Sequence, residues 1–157
     1  MMTAETQKKR RLLLNKGELA ESYFRSGYNC SQAVALAFCD EMNMKKEDAA
    51  RLTIGFGGGM GRMREVCGAV SGTAFVLSAI YGESDKANVY ALVQEAAEKF
   101  RQVNGSIVCR ELLGIGKTAP DPIPEKRTEG YYKKRPCPEL VRIAADILDE
   151  ILQKHGK

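Results

Sequence analysis

Val66-Cys67-Gly68-Ala69-Val70-Ser71-Gly72-Thr73-Ala74-Phe75-Val76-Leu77-Ser78-Ala79-Ile80-Tyr81 decides the fold. These 16 residues carry no charge, and their apolar positions fit a helix from about Cys67 to Gly82. A bilayer span needs about 20 such residues, so the stretch reads as the buried helix of a core. Its small residues are unusual. Each interior glycine costs about 1 kcal/mol of helix stability relative to alanine. The bare backbone at Gly68 and Gly72, four residues apart on one face, therefore predicts close approach of another helix or of a bound group.

Working outward, the period stays helical. A first helix is predicted over about Glu5–Ser26 and a second from the N-cap Asn29 to about Met42, with Cys30 in its first turn. A third covers about Lys46–Ile54. Ser84 is placed to cap a long helix from about Asp85 to Val103, and Ser106 a short one reaching Leu113 by way of Cys109. Ser106–Cys109 also reads as briefly extended. The last helix starts at Cys137-Pro138, with Pro138 suited to a first turn. All five prolines fall between Pro120 and Pro138, which makes 114–136 an extended loop. The expectation is an all-α protein: one domain over 1–157, a compact bundle of five to six helices, a loose terminus at 1–4, a Gly-rich loop and a long Pro-containing loop.

Composition narrows the function. A net charge of +4, 44% hydrophobic and 28% charged residues are ordinary for a globular protein. The basic runs Lys8-Lys9-Arg10-Arg11 and Lys133-Lys134-Arg135 suit solvated helix ends, and no aromatics interleave the first, so nucleic acid is not the expected partner. No secretory signal or membrane span is visible, which gives a cytoplasmic expectation. Five cysteines in a reducing compartment point to catalysis, redox sensing or metal binding before structural disulfides.

Cys30, Cys67, Cys109 and Cys137 all stand at predicted helix starts, where free N–H groups and the macrodipole favour thiolate. Cys39 falls nine residues beyond Cys30, on the opposite side of the same predicted helix, and reads as structural. No Cys-x-x-Cys pair exists, so any site must be assembled by the fold, and no metal-ligand spacing is present. His155 lies about 27 Å along the last helix from Cys137, too far for a Cys-His pair. The run Gly55-Phe56-Gly57-Gly58-Gly59-Met60-Gly61-Arg62 is neither a Walker A loop nor a dinucleotide fingerprint. With Arg62 and Arg64 it is placed either to bind an anion or to let two helices pack. The candidate cofactor-binding set is Gly57, Gly58, Gly59, Gly61, Arg62, Gly68 and Gly72, with the cofactor itself unspecified.

The order Tyr28-Asn29-Cys30-Ser31-Gln32-Ala33, the glycine run, Cys67-Gly68-Ala69-Val70-Ser71-Gly72, Cys109-Arg110-Glu111-Leu112-Leu113-Gly114 and Cys137-Pro138 resembles the C-GCAxxG-C-C family. Its members are described as redox-active proteins with four characteristic cysteines. The central motif departs from the label, reading Val-Cys-Gly-Ala here. The resemblance implies that the four cysteines act together in a redox role, with an oxidoreductase or transport-system protein as partner and a homo-oligomer as a further expectation. Thiol/disulfide chemistry or electron transfer is then the first reading. Cys67, after the glycine loop and beside Arg62 and Arg64, is the expected attacking thiol. A disulfide between Cys109 and Cys137 would tether the proline loop. The alternatives are a four-cysteine protein holding zinc, an iron–sulfur cluster or a larger cofactor, and a helical interaction module whose cysteines only pack.

Overall fold

The computed structural model describes residues 3–116 and 121–156. Among these residues the chain forms ten helices and no strand. They are α1 (Ala4–Leu13), α2 (Lys16–Arg25), α3 (Cys30–Ala37), α4 (Cys39–Met42), α5 (Lys46–Thr53), α6 (Gly68–Tyr81), α7 (Lys86–Asn104), α8 (Cys109–Leu113), α9 (Glu129–Lys134) and α10 (Cys137–His155), with a 3-10 turn at Ile54–Phe56. The all-α expectation holds, whereas the helices number more than five to six.

The extra helices have local causes. The expected first helix divides at Asn15, whose side chain accepts the Glu18 N–H at 2.8 Å and so caps a new helix, α2. The expected second helix breaks at Phe38, where the backbone leaves helical geometry (φ −117°, ψ 22°). Cys39 therefore opens a separate short helix. Asp85, not Ser84, caps α7, its carboxylate accepting from the Asn88 N–H. Ser106, three residues before α8 begins, accepts from the Val108 N–H. Within the proline-containing segment, Thr128 caps α9, a helix the proline count concealed. Residues 117–120 of that segment and 1–2 of the expected loose terminus lie outside the described residues.

Helix α3 is the centre of the packing. All eight of its residues are buried, and it touches α2, α5, α6 and α10. Its Cys, Ala, Val and Leu side chains need no water, and its two polar ones, Ser31 and Gln32, are satisfied by the Thr53 and Ala50 carbonyls. Helix α10 packs on α2, α7, α3 and α6 through Leu140, Val141, Ala144, Leu148, Ile151 and Leu152, the stripe visible in its sequence. No helix among the described residues is long and apolar enough to cross a membrane.

Candidate functional site

The N-termini of α3, α6, α8 and α10 meet around a cavity of about 350 Å³. Cys30, Cys109 and Cys137 are the first residues of α3, α8 and α10, and Cys67 is the residue before α6. All four line the cavity. Cys39, though it also begins a helix, does not. Its S–H donates to the Ala35 carbonyl at 3.9 Å, and burial pushes its thiol up to about 11.

Each cysteine is fixed by a different device. Asn29 caps α3 in a reciprocal box with Gln32: Asn29 accepts the Gln32 N–H, and Gln32 accepts the Asn29 N–H, both at 3.0 Å. Asn29, Ser31 and Gln32 then donate to the carbonyls of Ile54, Thr53 and Ala50. The motif around Cys30 thus clamps its helix to α5. Cys67 and Cys109 are tied by a short antiparallel bridge at Val66 and Val108, in which Cys67 N–H donates to Ile107 and Cys109 N–H to Glu65. The extended reading of Ser106–Cys109 corresponds to that bridge.

The glycine loop forms one wall. Gly59 has φ +72°, and a Cβ there would stand 2.7 Å from the Cys109 Cβ and 2.6 Å from the Glu65 nitrogen. Glycine alone satisfies both demands. Gly57, Gly58, Gly61, Arg62 and Gly68 also line the cavity. Gly72 does not: it faces the Ser31 backbone, so its place in the candidate cofactor-binding set is a packing role instead.

The electrostatics reverse the expected choice of nucleophile. Burial pushes the Cys67 thiol up to about 12, and the pull of the Ala69 and Val70 N–H groups is too small to compensate. Burial likewise raises Cys109, against the nearby Arg64, whose guanidinium lies 3.8 Å from its sulfur. Cys137 is the exception, held down at about 7. The Cys30 S–H beside it is the largest cause, followed among the favourable ones by the Tyr131 hydroxyl, Arg135 and Arg127. Cys30 itself is pushed well above the usual thiol range, first by its contact with Cys137 and then by burial. The two shifts run in opposite directions, so the pair favours the thiolate at Cys137 over the thiolate at Cys30. A helix N-terminus alone did not decide this. At Cys67 and Cys109 burial is the leading cause and outweighs the helix start, and at Cys30 the contact with Cys137 does.

Sequence reasoning missed Arg127, Tyr131 and Arg135. Arg127 lies over the Phe24 ring at 3.9 Å and donates to the Phe24 and Tyr28 carbonyls, fastening the 121–136 segment across the start of α3. Arg62 donates to the Asp121 and Ile123 carbonyls from the other side. The available signal was the pair Tyr131 and Arg135 six and two residues before Cys137, in a segment read as an extended loop.

All five cysteines are unpaired, and the Cys109–Cys137 disulfide that would tether the loop is not formed. Among the described residues no group of three or more Cys, His, Asp or Glu side chains is placed to hold a metal ion. Residues 28–151 match the C-GCAxxG-C-C family, described as "putative redox-active protein". The chain belongs to the C-GCAxxG-C-C family. The match spans all four motif cysteines, from Tyr28 before the first to the body of α10. No curated protein and no solved structure matches the chain.

Proposed function

We propose that this C-GCAxxG-C-C protein is a dithiol redox protein in which Cys137 is the attacking thiolate and Cys30 the resolving thiol. The observation that carries the reading is geometric: Cys30 and Cys137 begin two helices that meet at one cavity, which Tyr131, Arg127 and Arg135 also line. Cys137 attacks one sulfur of a substrate disulfide, forms a mixed disulfide and releases the other half as a thiolate. That step removes the thiolate acceptor at Cys137, whose hydrogen bond with Cys30 is the leading cause of the raised Cys30 pKa. Cys30 then gives up its proton more easily, attacks the Cys137 sulfur, and expels the second substrate thiolate. Consumption of the nucleophile thus activates the resolving group.

Cys67 and Cys109, joined by the bridge, form the second pair, which exchanges electrons with the first. The glycine wall and Arg62 bound the space in which the substrate lies. Cytoplasmic residence belongs to the same proposal, because a reducing compartment returns the thiols to their active state, with a protein oxidoreductase or transport-system protein as the electron donor.

The test is the pH dependence of iodoacetamide alkylation of the reduced protein, resolved cysteine by cysteine by mass spectrometry. Cys137 should react fastest, with a midpoint near its pKa of about 7, and Cys39 should lag far behind. A Cys137 no faster at neutral pH than a free model thiol would sink the reading and leave cysteines that only pack.

A further inference from the structure

Resting on the dithiol reading, the geometry points to a small disulfide bearing carboxylates as the substrate class. Two observations carry this, one about size and one about charge.

Cys30, Cys67 and Cys109 are each under 9% exposed and Cys137 is half-buried, all within the cavity. A folded protein reaches such a space only at half-buried Cys137, and its disulfide is not the best fit. The volume of about 350 Å³ is instead that of a small-molecule site.

Around the same space stand four guanidiniums, Arg62, Arg64, Arg127 and Arg135, against one carboxylate, Glu125. Glu125 is already engaged by Arg135 at 2.9 Å and by Lys134 at 3.2 Å. Arg127 spends its hydrogen bonds on neutral carbonyls, and neither Arg127 nor Arg64 has an ion pair among the described residues. Arg62 approaches a carboxylate, that of Asp121, only at 4.0 Å. Low-dielectric walls concentrate such a field and raise the local concentration of anions. Arg127 and Arg135 help to hold down Cys137 and Arg64 faces the Cys109 sulfur, while a thiol–disulfide exchange itself demands no such excess of cations.

The step balances without a further reactant. Cys137 thiolate and Cys30 thiol reduce one R–S–S–R to one R–SH and one R–S⁻ while becoming one protein disulfide, with the Cys30 proton passing to one of the two released thiolates.

Three disulfides of similar length separate the charge from the chemistry: 3,3′-dithiodipropionate (dianion), 2-hydroxyethyl disulfide (neutral) and cystamine (dication). The rate at which each oxidises the reduced protein is divided by its rate with 2-mercaptoethanol, which removes the probe's intrinsic reactivity. The dianion should exceed the neutral probe by about tenfold at low ionic strength, and the dication should fall below it, with the spread shrinking as salt is added. Arg64→Gln should lower the dianion-to-neutral ratio by about threefold, a ratio that cancels general damage to the variant. Equal normalised rates, or a preference for the dication, overturn the substrate class and leave the dithiol reading standing. Failure of all three probes to oxidise Cys137 overturns both.

Discussion

An added methyl group at Gly72 would stand 2.8 Å from the Ser31 carbonyl oxygen and 3.1 Å from the Ser31 Cα. Helices α3 and α6 therefore touch backbone to backbone just behind Cys30, and the obstruction is main chain that cannot rotate away. Gly68, one turn earlier, faces the Cys30 Cβ at 3.1 Å in the same sense. The glycine spacing in this motif sets how closely the Cys67 helix lies on the Cys30 helix.

Gly72→Ala should consequently destabilise the protein even though alanine is the better helix former by about 1 kcal/mol. Overpacking costs typically 1–3 kcal/mol, so the net loss expected is about 1 kcal/mol, with Gly72→Leu worse. Urea denaturation decides it. Equal or greater stability for both variants would mean that the two helices can separate freely.

Removing either neutral donor from Cys137 should raise its pKa, because each stabilises the thiolate and not the thiol. Cys30→Ala should move the alkylation midpoint up the most, and Tyr131→Phe should move it in the same direction by less. Tyr131→Phe is the cleaner of the two, since it deletes one oxygen and leaves the ring packed. An unchanged midpoint in both would remove the physical basis for assigning the charge to Cys137.

The helices were legible where their signals were local: the apolar stripe of α10, the Asn29 cap and the Pro138 first turn all follow from spacing and side-chain chemistry. The break at Phe38 was not, because residues 30–42 contain no Gly, Pro or capping residue at that point to mark it. Among the site residues, the four cysteines were found because their positions recur at helix starts. Which of them ionises was not, because helix starts predict a lowered pKa and burial opposes it to a degree no sequence records. Arg127, Tyr131 and Arg135 were hidden by a segment whose prolines suggested loop and nothing more.

Opposite pKa shifts give the stability a window in pH. Cys39 ionises in the unfolded chain near its ordinary 9.0 but only at about 11 when folded. Its contribution is thus complete below pH 9 and is lost as pH rises toward 11. Cys137 is lowered to about 7, so its contribution is present above pH 9 and is lost as pH falls through 7. Denaturant midpoints measured across this range should show Cys39→Ala flattening the alkaline fall. An identical slope in parent and variant would contradict the assignment.

Asp146 accepts the Gly17 N–H at 3.0 Å, tying α10 to the first turn of α2, and burial raises its carboxyl pKa. The acceptor is useful and the charge is not. Asp146→Asn keeps the carbonyl oxygen and should be neutral or slightly stabilising at pH 7. Asp146→Leu strands the N–H and should cost about 1–3 kcal/mol. If the two variants melt together, the hydrogen bond contributes nothing.

Met60 and Arg62 sit with Gly58, Gly59 and Gly61 in an unbroken left-handed run, Met60 at φ +66° and Arg62 at φ +63°. For a side chain with a Cβ this conformation costs about 1–2 kcal/mol. The loop holds it because backbone bonds at both ends lock the turn: Met60 N–H donates to Phe56, Gly61 N–H to Gly55 and Glu65 N–H to Gly59, between 2.9 and 3.1 Å. Met60 is 47% exposed, so little packing depends on its side chain. Met60→Gly should relieve the strain, less the entropy that glycine adds to the unfolded chain, about 0.4–1 kcal/mol. The expected outcome is a stabilisation of about 0.5 kcal/mol in urea denaturation, with Cys137 alkylation unchanged. Met60→Val, whose branched side chain tolerates the left-handed region least, should shift the midpoint the other way. Destabilisation by glycine would show that the Met60 side chain, and not the turn, holds this wall of the cavity in place.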